Sequence, residues 1–389
     1  MDMKEYLQLG RCVLMNRNNL KSIFKKYIDN FEVLNNEKND ELYKWEISKE
    51  FQNFNVDASD FAEMLNHMWR TSANLIDSSQ QLPFYALVDY ARKEPETVRE
   101  MFRKLYEEEH MDTEAKQQLI NEFIASSEVL RKKYNPDSRL YVNNQRSVMM
   151  YLFLRYPNSN FAYKASQAKS FADCIEFYDD WGPMTDFRLD IFYRMCEQLI
   201  EEIKADEALM ETHMSRFENT TRKLHPDENL HILVFDIIFS SQAYNFYDGM
   251  TYEPINAQAR KLYFEKVTKA KELSEILSKA KEEEKLLIEA KEYVGKTLAP
   301  GMKVKHKTFG EGTIEECADT ILAVQFPKIN DTKKLGISVV FGNGLITLES
   351  DEQTQKLKEF ASILSKESTI KTTISRTEDA LHEYLEFLE

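Results

Sequence analysis

Along the first 250 residues apolar side chains recur at three- and four-residue intervals, the spacing of one buried face of a helix. In NVDASDFAEMLNHMWRT, Phe61, Met64, Leu65 and Met68 form such a stripe, with Asp57 or Ser59 placed to cap it. In KEPETVREMFRKLYEEE, Pro95 suits a first turn and Val98, Met101, Phe102 and Leu105 repeat the spacing. Asp112 can cap a third helix carrying Leu119, Phe123 and Leu130, which NPDSR and its Pro136 interrupt. Further helices are expected around Phe187–Lys204 and Ala208–Lys223. Two segments differ: residues 147–157 (SVMMYLFLRYP) and 231–240 (HILVFDIIFS) are apolar on every side. Both must be deeply buried, and periodicity alone leaves open whether each is strand or helix.

Near Pro254 the character changes to a Lys/Glu/Ala/Leu run without Gly until Gly295, which reads as one long charged helix over 254–296 ending at that glycine. Leu262, Lys266, Lys269, Leu273, Ile276, Ala280, Leu287, Ala290 and Val294 trace a narrow seam on it, suited to a helical hairpin within the chain or, alternatively, to a homodimer. From Gly301 the period shortens. MKVKHK, GTIEECA, TILAVQF, KKLGISVVF and LITLES read as five short strands, with hairpin-type turns at Phe309-Gly310-Glu311-Gly312 and Gly342-Asn343-Gly344. Five strands in so short a span suggest a small barrel of the SH3 or Tudor kind. A tail follows, with Leu357, Phe360, Ile363 and Leu364, then Leu381, Tyr384, Leu385 and Leu388, as helical segments split by KESTIKTTISR. The expected architecture is mainly α and multidomain: a helical domain (1–253), a connector helix (254–296), an SH3/Tudor-like β-barrel (297–350) and a helical tail (351–389).

Charge sharpens this picture. Of the net charge of -15 across 389 residues, -13 falls in residues 1–253. Such a surface opposes bulk coating of nucleic acid or anionic membrane. No stretch approaches the roughly 20 apolar residues of a membrane span, and the opening MDMKEYLQLG has no apolar leader, so a cytoplasmic protein with no membrane partner is expected. Cys12, Cys174, Cys196 and Cys317 are widely spaced and offer neither a zinc site nor a disulfide framework.

Catalytic signatures are missing. There is no GxSxG elbow and no HExxH, and neither a cofactor nor a metal is expected. Asp173/Glu176 and Asp186/Asp190 fall on expected helices without the strand-borne E-x-K that a magnesium nuclease needs, and read as solvated carboxylates. Residues 290–297 (AKEYVGKT) mimic a phosphate-binding loop, with Lys296 as the phosphate lysine and Thr297 as the magnesium ligand. Such a loop follows a strand and opens a helix, whereas this one follows a helix and precedes a strand, so a nucleotide hydrolase is a remote alternative. Tyr141, Arg146, Tyr156, Tyr163 and Lys164 combine rings and cations that could stack on bases, and the same rings serve equally as core.

Two family resemblances add function. The stretches FNVDASDFAEMLNHMWRTSANLIDS, EPETVREMFRKLYEE, RSVMMYLFLRYPNSNFAYKAS and DENLHILVFDIIF resemble, over about residues 40–245, the region preceding the motor in McrB-like restriction AAA+ proteins. The motor is replaced here by the charged helix and the β module. Gly301, Val304, His306, Phe309, Gly310, Gly312 and Ile314, then Val324, Phe326, Lys333, Lys334 and Leu335, resemble the C-terminal Tudor-like domain of UvrD/PcrA-type DNA helicases. That resemblance implies a non-catalytic module docking a protein partner within a nucleic-acid-processing complex. Candidate contact residues are Lys303, Lys305, His306, Lys307, Phe309, Lys328, Lys333 and Lys334. Beside this stands a packing reading: Val304, Ile314, Val324 and Phe326 as core, Gly310 and Gly312 for positive φ, and His306 for a turn hydrogen bond. The expected function is thus a non-enzymatic accessory protein of a restriction or defence-type system, the alternative being a direct DNA binder that reads modified bases with its helical domain.

Overall fold

A computed structural model describes residues 15–388 except 108–110, 219 and 319, with backbone alone for 385–388. Cys12 and Asp319 lie outside the described residues. Sixteen helices and one five-stranded antiparallel sheet are present among them, and no helix is long and apolar enough to cross a membrane. Contacts divide the chain into two compact units, one ending at Arg260 and the other starting at Lys261.

The first unit is helical throughout. Its elements are α1 (Arg17–Asp29), α2 (Phe31–Leu34), α3 (Tyr43–Phe51), α4 (Phe61–Ile76), α5 (Pro83–Lys93), α6 (Pro95–Leu105), α7 (Thr113–Tyr134), α8 (Gln145–Arg155), α9 (Ala165–Cys174), α10 (Leu189–Lys204), α11 (Glu207–Ser215) and α12 (His231–Ala243). The stripes of α4 and α6 are buried where the periodicity puts them, except that Met64 is only partly covered. Asp112 caps α7 through the N–H of Ala115, but α4 is capped by Asp60, one residue past Ser59 and three past Asp57. The helix expected over 208–223 stops at Ser215, and the side chain of Arg216 that follows is buried.

Both all-apolar segments are helices. In α8 every residue from Val148 to Leu154 is at most 1% exposed, and Asn144 and Ser147 close a reciprocal capping box at its start. In α12 the two first-turn N–H groups of Ile232 and Leu233 both bond the Asp227 carboxylate, each at 2.9 Å. A capped N-terminus supplies partners for the donors that a helix buried on all sides would otherwise leave unmet.

The second unit contains α13 (Ala257–Thr297) from Lys261 onward, β1 (Lys303–His306), β2 (Gly310–Ala318), β3 (Ile321–Phe326), β4 (Asp331–Gly336), α14 (Ile337–Gly342), β5 (Ile346–Thr347), α15 (Asp351–Ser365) and α16 (Glu367–Leu388). The strand order is β4-β3-β2-β1-β5. KKLGISVVF is not one strand: it turns helical at Ile337, and Ile337, Val340 and Phe341 enter the core at helical spacing. Gly342-Asn343-Gly344 therefore ends a helix and is not a hairpin turn. The tail is likewise unbroken through STIKTTISR, which lies inside α16, with Ile370 and Leu381 buried.

On α13 the covered seam runs through Tyr263, Ala270, Ser274, Leu277, Ala280, Leu287, Ala290 and Val294. Leu262 and Ile276, expected on that seam, are about half exposed, a shift of one position around the helix. Leu381 packs on Ala270 and Leu277, and Lys281–Glu378, Lys291–Glu367 and Lys366–Glu283 pair the helices at 2.7, 2.6 and 3.0 Å. Gly295 does not stop α13, which runs on to Thr297 before Pro300.

Candidate functional site

Strand β1 sets out the candidate docking face by simple alternation. Val304 and His306 point into the core, and Lys303 and Lys305 point to solvent. Lys305 lies opposite Glu311 on β2 and Thr347 on β5. Just past β1, the Lys307 ammonium passes beside Gly344 and the Lys328 stem beside Gly310, so both flank the β1–β2 turn that carries half-buried Phe309. Lys303, Lys305, Lys307, Lys328 and Lys334 are exposed and take no ion-pair partner among the described residues, whereas Lys333 pairs with Asp331 at 2.5 Å. Exposed Glu315 and Glu316 lie further along β2, away from that turn.

Beneath the lysines His306 is 6% exposed. Its Nδ1 accepts the N–H groups of Thr308 and Phe309 at 3.1 and 3.2 Å, which requires the neutral ring with its proton on Nε2. Burial favours the same state by lowering its pKa. The imidazole stacks on Phe309 with centroids 4.6 Å apart and meets the edge of Phe326 at 5.8 Å. It thus holds the turn and supports Phe309 from below. Gly310 has φ +80°, as a turn glycine should. Gly312 does not have positive φ: a Cβ there would lie 2.6 Å from the Phe326 ring and 2.8 Å from Val324, so it is glycine for want of room.

The residues proposed to meet bases are mostly withdrawn from the surface. Tyr163 is core, 4% exposed, with its hydroxyl accepting from Trp181 Nε1 at 3.1 Å. Tyr156 is half-buried and donates to the Tyr106 carbonyl, and Tyr141 packs on Tyr85. Arg146 donates to the Ile76 carbonyl at 3.1 Å. Lys164 has no hydrogen-bonding partner among the described residues; burial, with the like charges of Arg146 and Lys44, pushes its ammonium down to about 8. Arg146 and Lys164 thus repel each other's charge, and the tyrosines serve the core. Residues 290–297 are helical, Ala290 and Val294 face the core, and Lys296 pairs with Glu292 at 3.3 Å, a geometry with no cradle for phosphate.

Sequence reading did not single out the most concentrated chemistry of the helical unit. Lys44 on α3 and Asp236 on α12 are both fully buried and paired, with Glu41 2.7 Å from the same ammonium. Tyr27 donates to Asp236 and accepts from Arg216 at 3.0 Å, and the Arg216 guanidinium carbon lies over the Trp45 ring, 3.9 Å from its centroid. Trp45 in turn donates to Asp227 at 3.2 Å. Burial pushes Asp227 up to about 7, although Ile232 and Leu233 N–H groups, Arg216 and Trp45 oppose it. Lys44 follows Tyr43 in an ordinary helical pattern, so its only sequence signal was a lysine on the face it shares with Ile47 and Phe51.

Among the described residues no three His, Cys, Asp or Glu side chains are placed to hold a metal. No protein-family model, curated protein or solved structure matches the chain.

Proposed function

We propose that the protein is a non-enzymatic, cytoplasmic docking protein of a DNA-related machine, of the restriction or defence kind, and that residues 297–350 form an SH3/Tudor-like barrel that engages a protein partner. The observation that carries this reading is the set of exposed lysines without counter-ions among the described residues on the sheet ordered β4-β3-β2-β1-β5, two of which, Lys307 and Lys328, flank Phe309. Unpaired cations beside a half-buried ring supply steering and an anchor, the ingredients of a rim and a hot spot. The resemblance to the helicase module supports the same face, and the resemblance of the helical domain to restriction proteins supports the setting.

The test is affinity capture from lysate with the full chain and with its Lys305→Glu/Lys307→Glu/Lys328→Glu variant. Recovery of a nucleic-acid enzyme or defence component, lost with the variant, is expected. A wild-type chain that captures none, or a partner retained undiminished by the variant, would overturn it. A second reading, direct DNA binding by the helical unit, is favoured by the Lys164 ammonium, which has no hydrogen-bonding partner among the described residues. It predicts a salt-dependent gel shift that distinguishes modified from plain duplex and weakens in Lys164→Ala.

A further inference from the structure

A cleft of about 600 Å³ opens in the helical unit between the first three turns of α7 and the start of α10. Its volume falls within the roughly 300–1,000 Å³ of small-ligand sites. One wall is a row of carboxamides on α7. Gln117 builds the cleft: its Oε1 accepts the Leu189 N–H at 3.2 Å, tying the start of α10 across the gap, and its Nε2 reaches Asn121 Oδ1 at 3.1 Å and buried Gln145 at 3.3 Å. With Gln117 committed, Gln118 and Asn121 stand exposed beside it. Gln118 Nε2 is held by Glu122 at 2.9 Å, which leaves its Oε1 as an acceptor, and Asn121 Oδ1 is taken by Gln117, which leaves its Nδ2 as a donor. One free acceptor and one free donor, three residues apart on one helix face, match the alternating C=O and N–H of an extended peptide backbone.

The charge is one-sided. Glu114 lines the cleft without a cationic partner among the described residues, Asp190 lines it opposite, and exposed Asp112 and Asp186 immediately precede its two walls. The one cation in the lining, Arg188, is paired with Asp190 at 3.2 Å. An acidic rim in a unit of strongly negative charge selects against phosphate-bearing ligands and for Arg or Lys side chains. We propose that this cleft docks an extended, Arg- or Lys-bearing peptide segment of a partner protein, its backbone met by Gln118 and Asn121 and its basic side chain by Glu114.

The proposal is independent of the lysine face on the β module. Random phage-displayed heptapeptides panned against the full chain, with depletion on the Gln118→Ala/Asn121→Ala variant, test it directly, since both positions are exposed and the variant should fold. Enrichment of peptides rich in Arg or Lys, whose affinity falls at least tenfold in the double variant and in Glu114→Gln, is expected. Overturning results are no enrichment that the variant abolishes, enrichment of acidic or uncharged peptides, or binding of a single-stranded oligonucleotide that the same substitutions remove.

Discussion

Lys44 shows how much a single interior charge can control. Its ammonium, Asp236 and Glu41 are shut from solvent together, and Tyr27 and Arg216 extend the network to two other elements. Removing one partner of such a pair strands the others, at a cost of about 3–5 kcal/mol, whereas replacing both by apolar groups can be neutral. Lys44→Met should therefore lower the urea midpoint followed by tryptophan fluorescence far more than Lys44→Met/Asp236→Leu does; equal losses would argue against a coupled network. A second consequence concerns acid. Burial, the first cause at each, lowers the pKa of His213 to about 3 and those of His225 and His231 to about 4. Below an unfolded value of about 6.5 the unfolded chain binds protons that these three native histidines refuse, so stability present above that pH is lost as pH falls toward 4. Asp227 acts oppositely: with its native pKa raised to about 7, it stabilises the fold as pH drops through the same window. For these four groups taken by themselves, three protons against one leave a net loss approaching roughly 3 kcal/mol per pH unit at its steepest. Urea midpoints measured from pH 7 to 4.5 should fall, and Asp227→Asn should steepen the fall; a flat or rising profile would refute the assignment.

At the scale of elements, amphipathic helices were plain in the sequence because one side of each meets water. The stripes of α4 and α6 and the cap of α7 could be read directly. Helices buried on all sides carry no such contrast, and α8 and α12 were decided by polar residues at or just before their starts: Asn144 with Ser147, and Asp227. Asn144→Ala should destabilise the helical unit by about 1 kcal/mol, seen as a shifted urea midpoint at unchanged slope. In the β module, the β-branched residues Ile337, Val339 and Val340 suggested a strand, yet the spacing Ile337, Val340, Phe341 is helical, and tertiary packing overrode propensity. The lysines at the docking face were legible through alternation, while the reason for Gly312 was not, since it depends on a ring that arrives from β3. The α13 seam was legible to within one position, and so was a helical hairpin within the chain as its use; α16 is the helix that covers it. Deleting residues 367–389 should bare Ala270 and Leu277 and make the chain self-associate with rising concentration in sedimentation velocity; a monodisperse monomer would show that α16 is dispensable as a cover.

For the whole molecule, each unit has its own apolar core, and the division falls at Arg260, just inside a continuous helix. All three tryptophans, Trp45, Trp69 and Trp181, belong to the first unit. Tryptophan fluorescence thus follows one unit alone while far-UV circular dichroism sums both, and the two denaturation curves should not coincide. Superimposable curves would mean that the units unfold as one. Charge, too, is distributed by unit: the acidity lies mainly in the helices before Pro254, leaving the lysines of the β module free of it in sequence. The burial of Lys44 has a further meaning for the living chain. Lysine amines are the addresses of acetylation and ubiquitin transfer, and this one is sealed behind Phe235 and Phe239 once the helices close. An acyl or ubiquitin mark at position 44 would therefore be a timestamp, recording modification before folding finished or after it failed.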